Sequence, residues 1–409
     1  MNSSKTKRFF AWLTLVSFFS STVSGAVVDI ANVPLVSMST KVVRPNVMFI
    51  LDDSSSMGFE YMPDSVNNNN SSNCYRNFGY NKIYYNPYAT YDPPLNANGT
   101  SFTAASVGAA WDDGFAGSGG PRNLASNTTT TNTSWGSSIS LGTNPLAMNS
   151  GSSQFIVTTP SNHGLSIGTT VRLSGLNTSS GRTNNLNING SSLVILAVPA
   201  ANRFTLNTNT VNGRVASTTG NYGGNGASYQ VATITSTTTP DYFYYSYTAN
   251  PTSPSVTCAS DASYTKVAIN TQSAAQQQNY ANWYSFYRSR LLMMKSASGR
   301  AFAGVDDKFR VGFTTINEEG TTAARWLGNG TFNAAQKNSW YSKLYGASIP
   351  GLQFTPLRGA LSKAGRYYAG TFVTGNADPV QYSCQKNFSI LTTDGYWNTT
   401  AQSATYKNA

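Results

Sequence analysis

Hydrophobic and polar positions change their pattern several times along the chain, and apolar runs near both ends predict strands. The run NVMFIL at 46–51 is continuously apolar, which is typical of a strand that is buried on both faces of a parallel sheet. FRVGFTTI at 309–316 predicts another strand. NFSILTTDG at 387–395 predicts a buried strand that runs into a loop.

Apolar residues at three- and four-residue spacing predict helices between these strands. One helix is expected over about 278–302, with an apolar face formed by Tyr280, Trp283, Tyr284, Tyr287, Leu291, Met294 and Phe302. A second is expected over 333–346. A third is expected over 355–370, with Thr355 as its N-cap and Pro356 at its first position. This alternation predicts an α/β fold with a mostly parallel sheet covered by helices.

The middle of the chain, about 61–275, is rich in Ser, Thr, Asn and Gly and poor in charge, which favours turns and short strands over helices. Alternating apolar positions predict a small β module over about 152–210, marked by Phe155 and Val157, Val171 and Leu173, and Phe204 and Leu206. His163 is expected at one of its turns. The domain organisation is therefore a first strand and loop at 43–60, an insertion at 61–275, and the rest of the α/β domain at 276–409.

Residues 1–25 have the layout of a secretory signal peptide, because a basic start precedes an apolar core and small residues. We therefore expect an exported protein, in the periplasm or on the cell surface, with no stable membrane span in the mature chain. The formal net charge of the 409 residues is +11. Since the cations form no dense block, this charge indicates solubility and no nucleic-acid partner.

Cysteine and histidine are scarce. In an oxidising compartment two of Cys74, Cys258 and Cys384 can pair, and all three pairings are open. Their spacing excludes a CxxC zinc or redox motif. With His163 as the single histidine, a His-rich metal site is also excluded.

Oxygen-bearing side chains follow the predicted strands and begin one predicted helix. Asp52, Ser54 and Ser56 come directly after the 46–51 strand, Thr355 begins a helix, and Asp394 follows the last strand. Ligands lie beyond the carboxyl ends of parallel strands, and hard oxygen donors suit Mg²⁺, Mn²⁺ or Ca²⁺. A D-x-S-x-S pattern fits only from Asp52, because starting from Asp53 puts Met57 in the last serine position. The sequence therefore predicts a divalent cation site, with Mg²⁺ as the first expectation.

The pattern D-x-S-x-S-M after a strand, with a later T-P-L helix start and a later strand ending in T-D-G, resembles the three loops of a von Willebrand factor A domain. That family builds a metal-ion-dependent adhesion site there. The resemblance implies direct metal contacts from Ser54 and Ser56. It implies a direct or water-mediated contact from Thr355, and contacts through water from Asp52 and Asp394.

A narrower resemblance rests on three segments, CYRNFGYNKIYYNPYATYDPP at 74–94, the aromatic helix at 279–302, and CQKNFSILTTDGYWN at 384–398. Together they are similar to the PilC/PilY family of type IV pilus tip-associated and biogenesis proteins. Two departures stand out. Ser55 occupies a position that is often Gly, and the chain ends shortly after Asp394. The resemblance therefore implies a von Willebrand A-like doubly wound sheet that is C-terminally incomplete, in a fragment without the usual C-terminal β-propeller.

The leading functional expectation is a pilus adhesin, not an enzyme, that binds acidic groups of host-cell or surface ligands through its metal and contacts pilus components. One alternative is a secreted metal-dependent or serine hydrolase, with Asp52, Asp53 and Asp394 on two metals or Ser54 as nucleophile and His163 as base. A structural surface β protein is the other alternative. It accounts for the low-charge middle but not for the α/β part.

Overall fold

The computed structural model describes residues 43–176, 188–207, 219–318, 320–321, 323–349, 351, 353–372, 378–395 and 397–398, so the predicted signal segment lies outside the described residues. The helices are α1 Ala274–Phe286, α2 Arg290–Ala303, α3 Ala334–Gly346 and α4 Leu357–Tyr368. The strands are β1 Asn46–Leu51, β2 Asn127–Trp135, β3 Ile139–Gly142, β4 Leu146–Met148, β5 Gln154–Thr158, β6 Thr170–Ser174, β7 Ser192–Val194, β8 Ala197–Ala200, β9 Arg203–Asn207, β10 Gly220–Tyr222, β11 Ala227–Pro240, β12 Phe243–Tyr247, β13 Tyr264–Ala268, β14 Arg310–Thr315, β15 Trp326–Thr331 and β16 Asn387–Leu391.

The α/β part is built on a sheet with the strand order β15–β14–β1–β16. β1 pairs in parallel with both β14 and β16, and β15 pairs antiparallel with β14. The expected mixed α/β architecture with a mostly parallel sheet is therefore confirmed. Since β1 lies inside the sheet, its carboxyl end adjoins the ends of two other parallel strands.

Hydrophobic cores cover both faces of β1, which explains its unbroken apolar sequence. Phe49 and Leu51 face one core, and Met48 and Ile50 face the other. The first core holds buried residues of α2 and α3, namely Leu291, Phe302, Trp340, Tyr341 and Leu344. The second holds Ala360, Ala364 and Tyr367 of α4 together with Trp326. Alternation along an extended strand sends successive side chains to opposite faces.

Three local predictions were wrong. The single helix expected over 278–302 is two helices, because Ser289 caps α2 by accepting a 3.3 Å hydrogen bond from the Leu292 amide. The third helix begins at Leu357 with Pro356 at the N-cap, since the Thr355 carbonyl accepts from the Leu357 amide in a tight turn. β16 is largely exposed, because it lies at the edge of the described sheet.

An aromatic core joins α1 to both ends of the insertion. Tyr280, Trp283 and Tyr284 of α1 pack with Tyr85, Leu124, Tyr244 and Ile269. Cys74 and Cys258 form a disulfide with a Cα–Cα distance of 5.4 Å, while Cys384 is free and exposed. The structure thus selects one of the three pairings that the sequence leaves open.

The rest of the insertion is a β module with its own core. One sheet has the order β10–β4–β5–β9–β8, and the other has the order β2–β11–β6–β7, with β3 also paired to β11. Buried side chains from both sheets form one hydrophobic cluster, including Phe155, Val171, Phe204 and Tyr229. Strands within 152–210 therefore share this core with strands on either side of that range.

A two-stranded ribbon connects the β module to the aromatic core. β2 pairs antiparallel with β11 from Trp135↔Ala232 to Asn127↔Pro240. Most of its side chains are exposed, and threonine hydroxyls bond across it, as between Thr129 and Thr238 at 3.1 Å. No helix in the part of the chain that the structure describes is long and apolar enough to cross a membrane.

Candidate metal site

The loop after β1 directs alternate side chains toward one point. The Asp52 carboxylate accepts a 2.8 Å hydrogen bond from the Ser54 amide, and a short 3₁₀ turn follows at Ser55–Gly58. The hydroxyls of Ser54 and Ser56 then lie 3.2 Å apart. The D-x-S-x-S pattern thus places Asp52, Ser54 and Ser56 in one cluster.

Asp394 joins this cluster from the loop after β16. The Thr392 amide donates to the Ile50 carbonyl at 3.0 Å, which continues the pairing of the two strands to their ends. Ser56 Oγ then donates a 2.9 Å hydrogen bond to Asp394 Oδ1. Because β1 and β16 are parallel neighbours, their carboxyl ends meet at the same edge of the sheet.

Thr355 lies in a third loop that contacts the other two through neighbouring residues. The Gln353 amide donates to Ser55 Oγ at 2.7 Å, and the Thr355 amide donates to Asn398 Oδ1 at 2.6 Å. Thr355 is buried, but within the described part of the chain its hydroxyl has no hydrogen bond to the four clustered residues. The structure therefore brings together Asp52, Ser54, Ser56 and Asp394 by direct contacts, and Thr355 only through its loop.

Asp53 points elsewhere, as its register predicts. Its Oδ1 accepts hydrogen bonds from the Asn317 amide at 3.1 Å and from Asn317 Nδ2 at 2.9 Å. Asn317 Nδ2 also donates to the Phe354 carbonyl at 3.1 Å. Asp53 therefore links the first loop to the loop of Thr355 and has a structural role beside the cluster.

The Asp52 carboxylate is fully buried, and in the described part of the chain only one of its two oxygens accepts a hydrogen bond. Its Oδ2 has no hydrogen-bond partner among the described residues. Burial raises the pKa of Asp52, hydrogen bonding by Ser54 and the Thr393 side chain opposes this effect, and the nearby Asp394 charge adds to it. Since a buried carboxylate oxygen without a partner is costly, Oδ2 is suited to a cation or a cation-bound water.

The donors in this cluster are hydroxyls and two carboxylates, which suit a hard divalent cation. No group of three or more His, Cys, Asp and Glu residues that could hold a metal occurs among the described residues. A metal site here would therefore take part of its ligands from serine hydroxyls, and the hydroxyls of Ser54 and Ser56 lie close enough together to contact one ion.

Arg290, which the sequence analysis did not single out, is the cation next to this cluster. Its Nη1 donates to Asp394 Oδ2 at 2.7 Å, its Nη2 contacts Asp64 Oδ1 at 2.5 Å, and its Nε donates to the Tyr61 carbonyl at 2.8 Å. It is the first residue of α2. The sequence pattern predicted one continuous helix through this position and therefore gave no reason to notice Arg290. The break between the two helices, capped by Ser289, puts Arg290 at the start of α2.

His163 lies in the β module and not in this cluster. Its Nδ1 accepts a 2.9 Å hydrogen bond from the Leu165 amide, and its Nε2 lies 3.3 Å from the Arg203 carbonyl. Its ring packs edge-on against Phe204. These contacts hold the ring within the module, whereas Ser54 lies at the end of β1.

Comparison with known proteins finds relatives of this chain. No family model matches the chain. Type IV pilus biogenesis factor PilY1 of Pseudomonas aeruginosa strain UCBPP-PA14 is 26% identical over 397 residues, which cover 94% of this chain. The same factor from strain PAK is 26% identical over 403 residues, or 93% of this chain. This chain is a relative of the PilY1-type pilus biogenesis factors.

The PilY1-type likeness extends along nearly the whole chain, 94% and 93% of it in the two comparisons. The chain spans about a quarter of the length of the PilY1 proteins that it matches, 25% and 26% respectively. Among solved structures, a phage phi92 endosialidase is 19% identical and covers 31% of this chain and 17% of its own, with a TM-score of 0.17. A similarity of that size supports no argument about this fold.

Proposed function

We propose that this chain acts in type IV pilus biogenesis and that its α/β part is a von Willebrand A-like domain that holds a divalent cation for an anionic ligand. The pilus role is supported by the PilY1 relatives, which are named as biogenesis factors. The ligand-binding role is supported by the geometry of the cluster at the sheet edge.

The sheet supports the proposed domain type. β1 lies between the parallel strands β14 and β16, and the antiparallel strand β15 forms one edge. The clustered side chains come from loops after β1 and β16, and the Thr355 loop precedes α4. This placement agrees with the three loops expected of a von Willebrand A domain.

The single observation that carries the metal proposal is the hydrogen-bonded chain from Asp52 through Ser54 and Ser56 to Asp394. Ser54 and Ser56 would hold the ion, with Asp52 and Asp394 supporting it and Thr355 contributing from its loop. Bound Mg²⁺, Mn²⁺ or Ca²⁺ would supply positive charge to an anionic oxygen of a partner. Few direct carboxylate contacts leave more of that charge available.

The proposed setting is outside the cytoplasm, with acidic groups on host-cell or other surfaces and pilus components as partners. The disulfide between Cys74 and Cys258 supports this setting, because such bonds persist in oxidising compartments. The β module, with its own core at the end of the β2–β11 ribbon, is proposed as a separate contact surface of the same protein.

Calorimetric titration tests the metal proposal. Mg²⁺, Mn²⁺ and Ca²⁺ are titrated separately into chelator-treated protein, and saturable binding of one ion per chain is expected for at least one of them. Asp52→Ala and Ser54→Ala should abolish it. Asp53→Asn is the matched control, because Asp53 is in the same loop but its Oδ1 binds Asn317.

Attachment of the protein to acidic surfaces should follow metal binding. Retention on carboxylated beads, measured with the binding ion and with chelator, should be lost in Asp52→Ala and kept in Asp53→Asn. Saturable metal binding without metal-dependent retention would reject the ligand-binding role. An absence of metal binding in the wild-type protein would reject the metal site itself.

A further inference from the structure

Arg290 lies at the centre of an ion-pair network beside the candidate site. The side chains of Arg290 and Asp394 are 3% and 4% exposed, and their ion pair measures 2.7 Å. Asp64, the second carboxylate partner of Arg290, is 76% exposed. The guanidinium group therefore neutralises a buried carboxylate on one side and is anchored to a solvated one on the other.

Aromatic rings and backbone fix the guanidinium group in this position. Its carbon lies 5.3 Å from the ring centre of Phe59 and 5.4 Å from that of Tyr61, and these two rings stack at 4.9 Å. The Arg290 amide donates to the Phe59 carbonyl at 3.1 Å. Because Phe59 and Tyr61 follow the first loop directly, Arg290 ties that loop to the start of α2.

Both oxygens of Asp394 are occupied as a result. Oδ1 accepts from Ser56 and Oδ2 accepts from Arg290. A buried carboxylate that loses its partner is strongly destabilising, so the cluster needs a positive charge to stay assembled. Arg290 provides one whether or not a metal ion is bound.

We propose that Arg290 is a built-in cation that keeps the site assembled without metal and limits the affinity of the site for a divalent ion. This inference rests on the proposed metal site. A fixed positive charge repels an incoming cation and offsets one of the two carboxylate charges that would attract it. By bonding Asp394 Oδ2, Arg290 would also disfavour direct coordination of the ion by that oxygen, which would leave a bound ion more electrophilic toward an anionic ligand.

Three variants separate the charge of Arg290 from its other contacts. Arg290→Gln removes the charge and keeps hydrogen-bonding capacity, and Arg290→Lys keeps the charge without the planar fork. Asp64→Asn is the matched control, since it alters the exposed partner and leaves the contact with Asp394. Each is measured by thermal unfolding without metal and by calorimetric titration with Mg²⁺, Mn²⁺ and Ca²⁺.

Arg290→Gln should unfold at a lower temperature without metal, gain more stability on metal addition, and bind the ion roughly tenfold more tightly or more. Arg290→Lys and Asp64→Asn should keep a metal affinity within about threefold of the wild type. A tenfold change in affinity corresponds to about 1.4 kcal/mol, so a threefold change is small. Unchanged or weaker metal binding in folded Arg290→Gln would overturn the inference and leave Arg290 as a structural or positioning residue.

A double-mutant cycle keeps the test decisive if Arg290→Gln folds only with metal. In an Asp394→Asn background the carboxylate that Arg290 neutralises is gone, so removing Arg290 should change metal affinity less than it does beside Asp394. An equal change in both backgrounds would overturn the link to Asp394. If the wild-type chain binds no divalent ion at all, the proposed function fails, and this result is distinct from both outcomes.

Discussion

The hydroxyl of Ser56 donates a 2.9 Å hydrogen bond to the carboxylate of Asp394, 338 positions later in the chain. The contact forms because β1 and β16 are parallel neighbours whose carboxyl ends coincide. The loop after β1 therefore depends on the pairing of a strand encoded far away.

Replacing Ser56 should separate the two halves of the cluster. Ser56→Ala removes the hydrogen bonds to both Ser54 and Asp394. Loss of an outer-shell partner of a metal costs about 10- to 100-fold in affinity, so loss of Ser56, proposed as a direct ligand, should cost at least that much, and calorimetric titration of the divalent ion measures it. Ser56→Thr keeps the hydroxyl and should bind nearly as tightly. Wild-type affinity in Ser56→Ala would show that Ser56 does not contribute.

The disulfide should contribute substantially to stability. Cys74 and Cys258 are 184 positions apart, so the bond closes a long loop and restricts the unfolded chain. The double variant Cys74→Ser with Cys258→Ser should lose about 2–5 kcal/mol of unfolding free energy, measured by urea titration under oxidising conditions. Cys384→Ser is the control and should leave the free energy of unfolding unchanged, because Cys384 is free and exposed.

Trp340 should be a main determinant of the core beneath the candidate site. It is fully buried, stacks on Phe302 with ring centres 4.3 Å apart, and meets Phe49 edge-on at 5.5 Å. Trp340→Ala should cost roughly 3–5 kcal/mol of unfolding free energy, measured by chemical denaturation.

Trp340→Phe should cost less than Trp340→Ala. It keeps an aromatic ring and removes an indole N–H that has no hydrogen-bond partner among the described residues. Equal losses in the two variants would contradict a packing role for the ring.

Lys295 should make stability depend on pH in the alkaline range. Burial lowers the pKa of Lys295 below its ordinary 10.5, although Asp113 opposes this shift. Between the lowered value and 10.5, the unfolded chain binds more protons at this position than the folded chain. Stability from Lys295 therefore rises with pH across that window, by at most about 1.4 kcal/mol per pH unit.

Comparison with Lys295→Met isolates this effect. The free energy of unfolding of both proteins is measured by urea titration between neutral pH and about pH 10. The value for the wild type should rise relative to that of the variant as pH rises. Parallel curves would indicate that Lys295 keeps its charge throughout. The contact of Lys295 Nζ with the Tyr345 carbonyl at 3.0 Å is lost in the variant at every pH, so it adds only a constant difference.

The β2–β11 ribbon of the Ser/Thr-rich insertion is an element that the sequence pattern did not predict. The tract SNTTTTNTSW gives no apolar alternation, yet Asn127–Trp135 is a nine-residue strand paired with β11. Its threonines are exposed on both faces, so the pairing rests on backbone hydrogen bonds and hydroxyl contacts across the ribbon. Period-two analysis detects half-buried strands and has no signal for a ribbon without a buried face.

The sequence by itself determined β1, with its exact bounds of Asn46–Leu51, because a strand between two cores must be apolar throughout. Its D-x-S-x-S spacing also predicted that the side chains of Asp52, Ser54 and Ser56 lie together, as they do. The position of Asp394 after the last strand also predicted this residue for the same site. Tertiary structure alone decided that Ser56 is the residue that bonds Asp394, that Arg290 neutralises Asp394, and that Cys74 pairs with Cys258. These contacts join residues between 104 and 338 positions apart, and local propensity contains no information about which distant segments will meet.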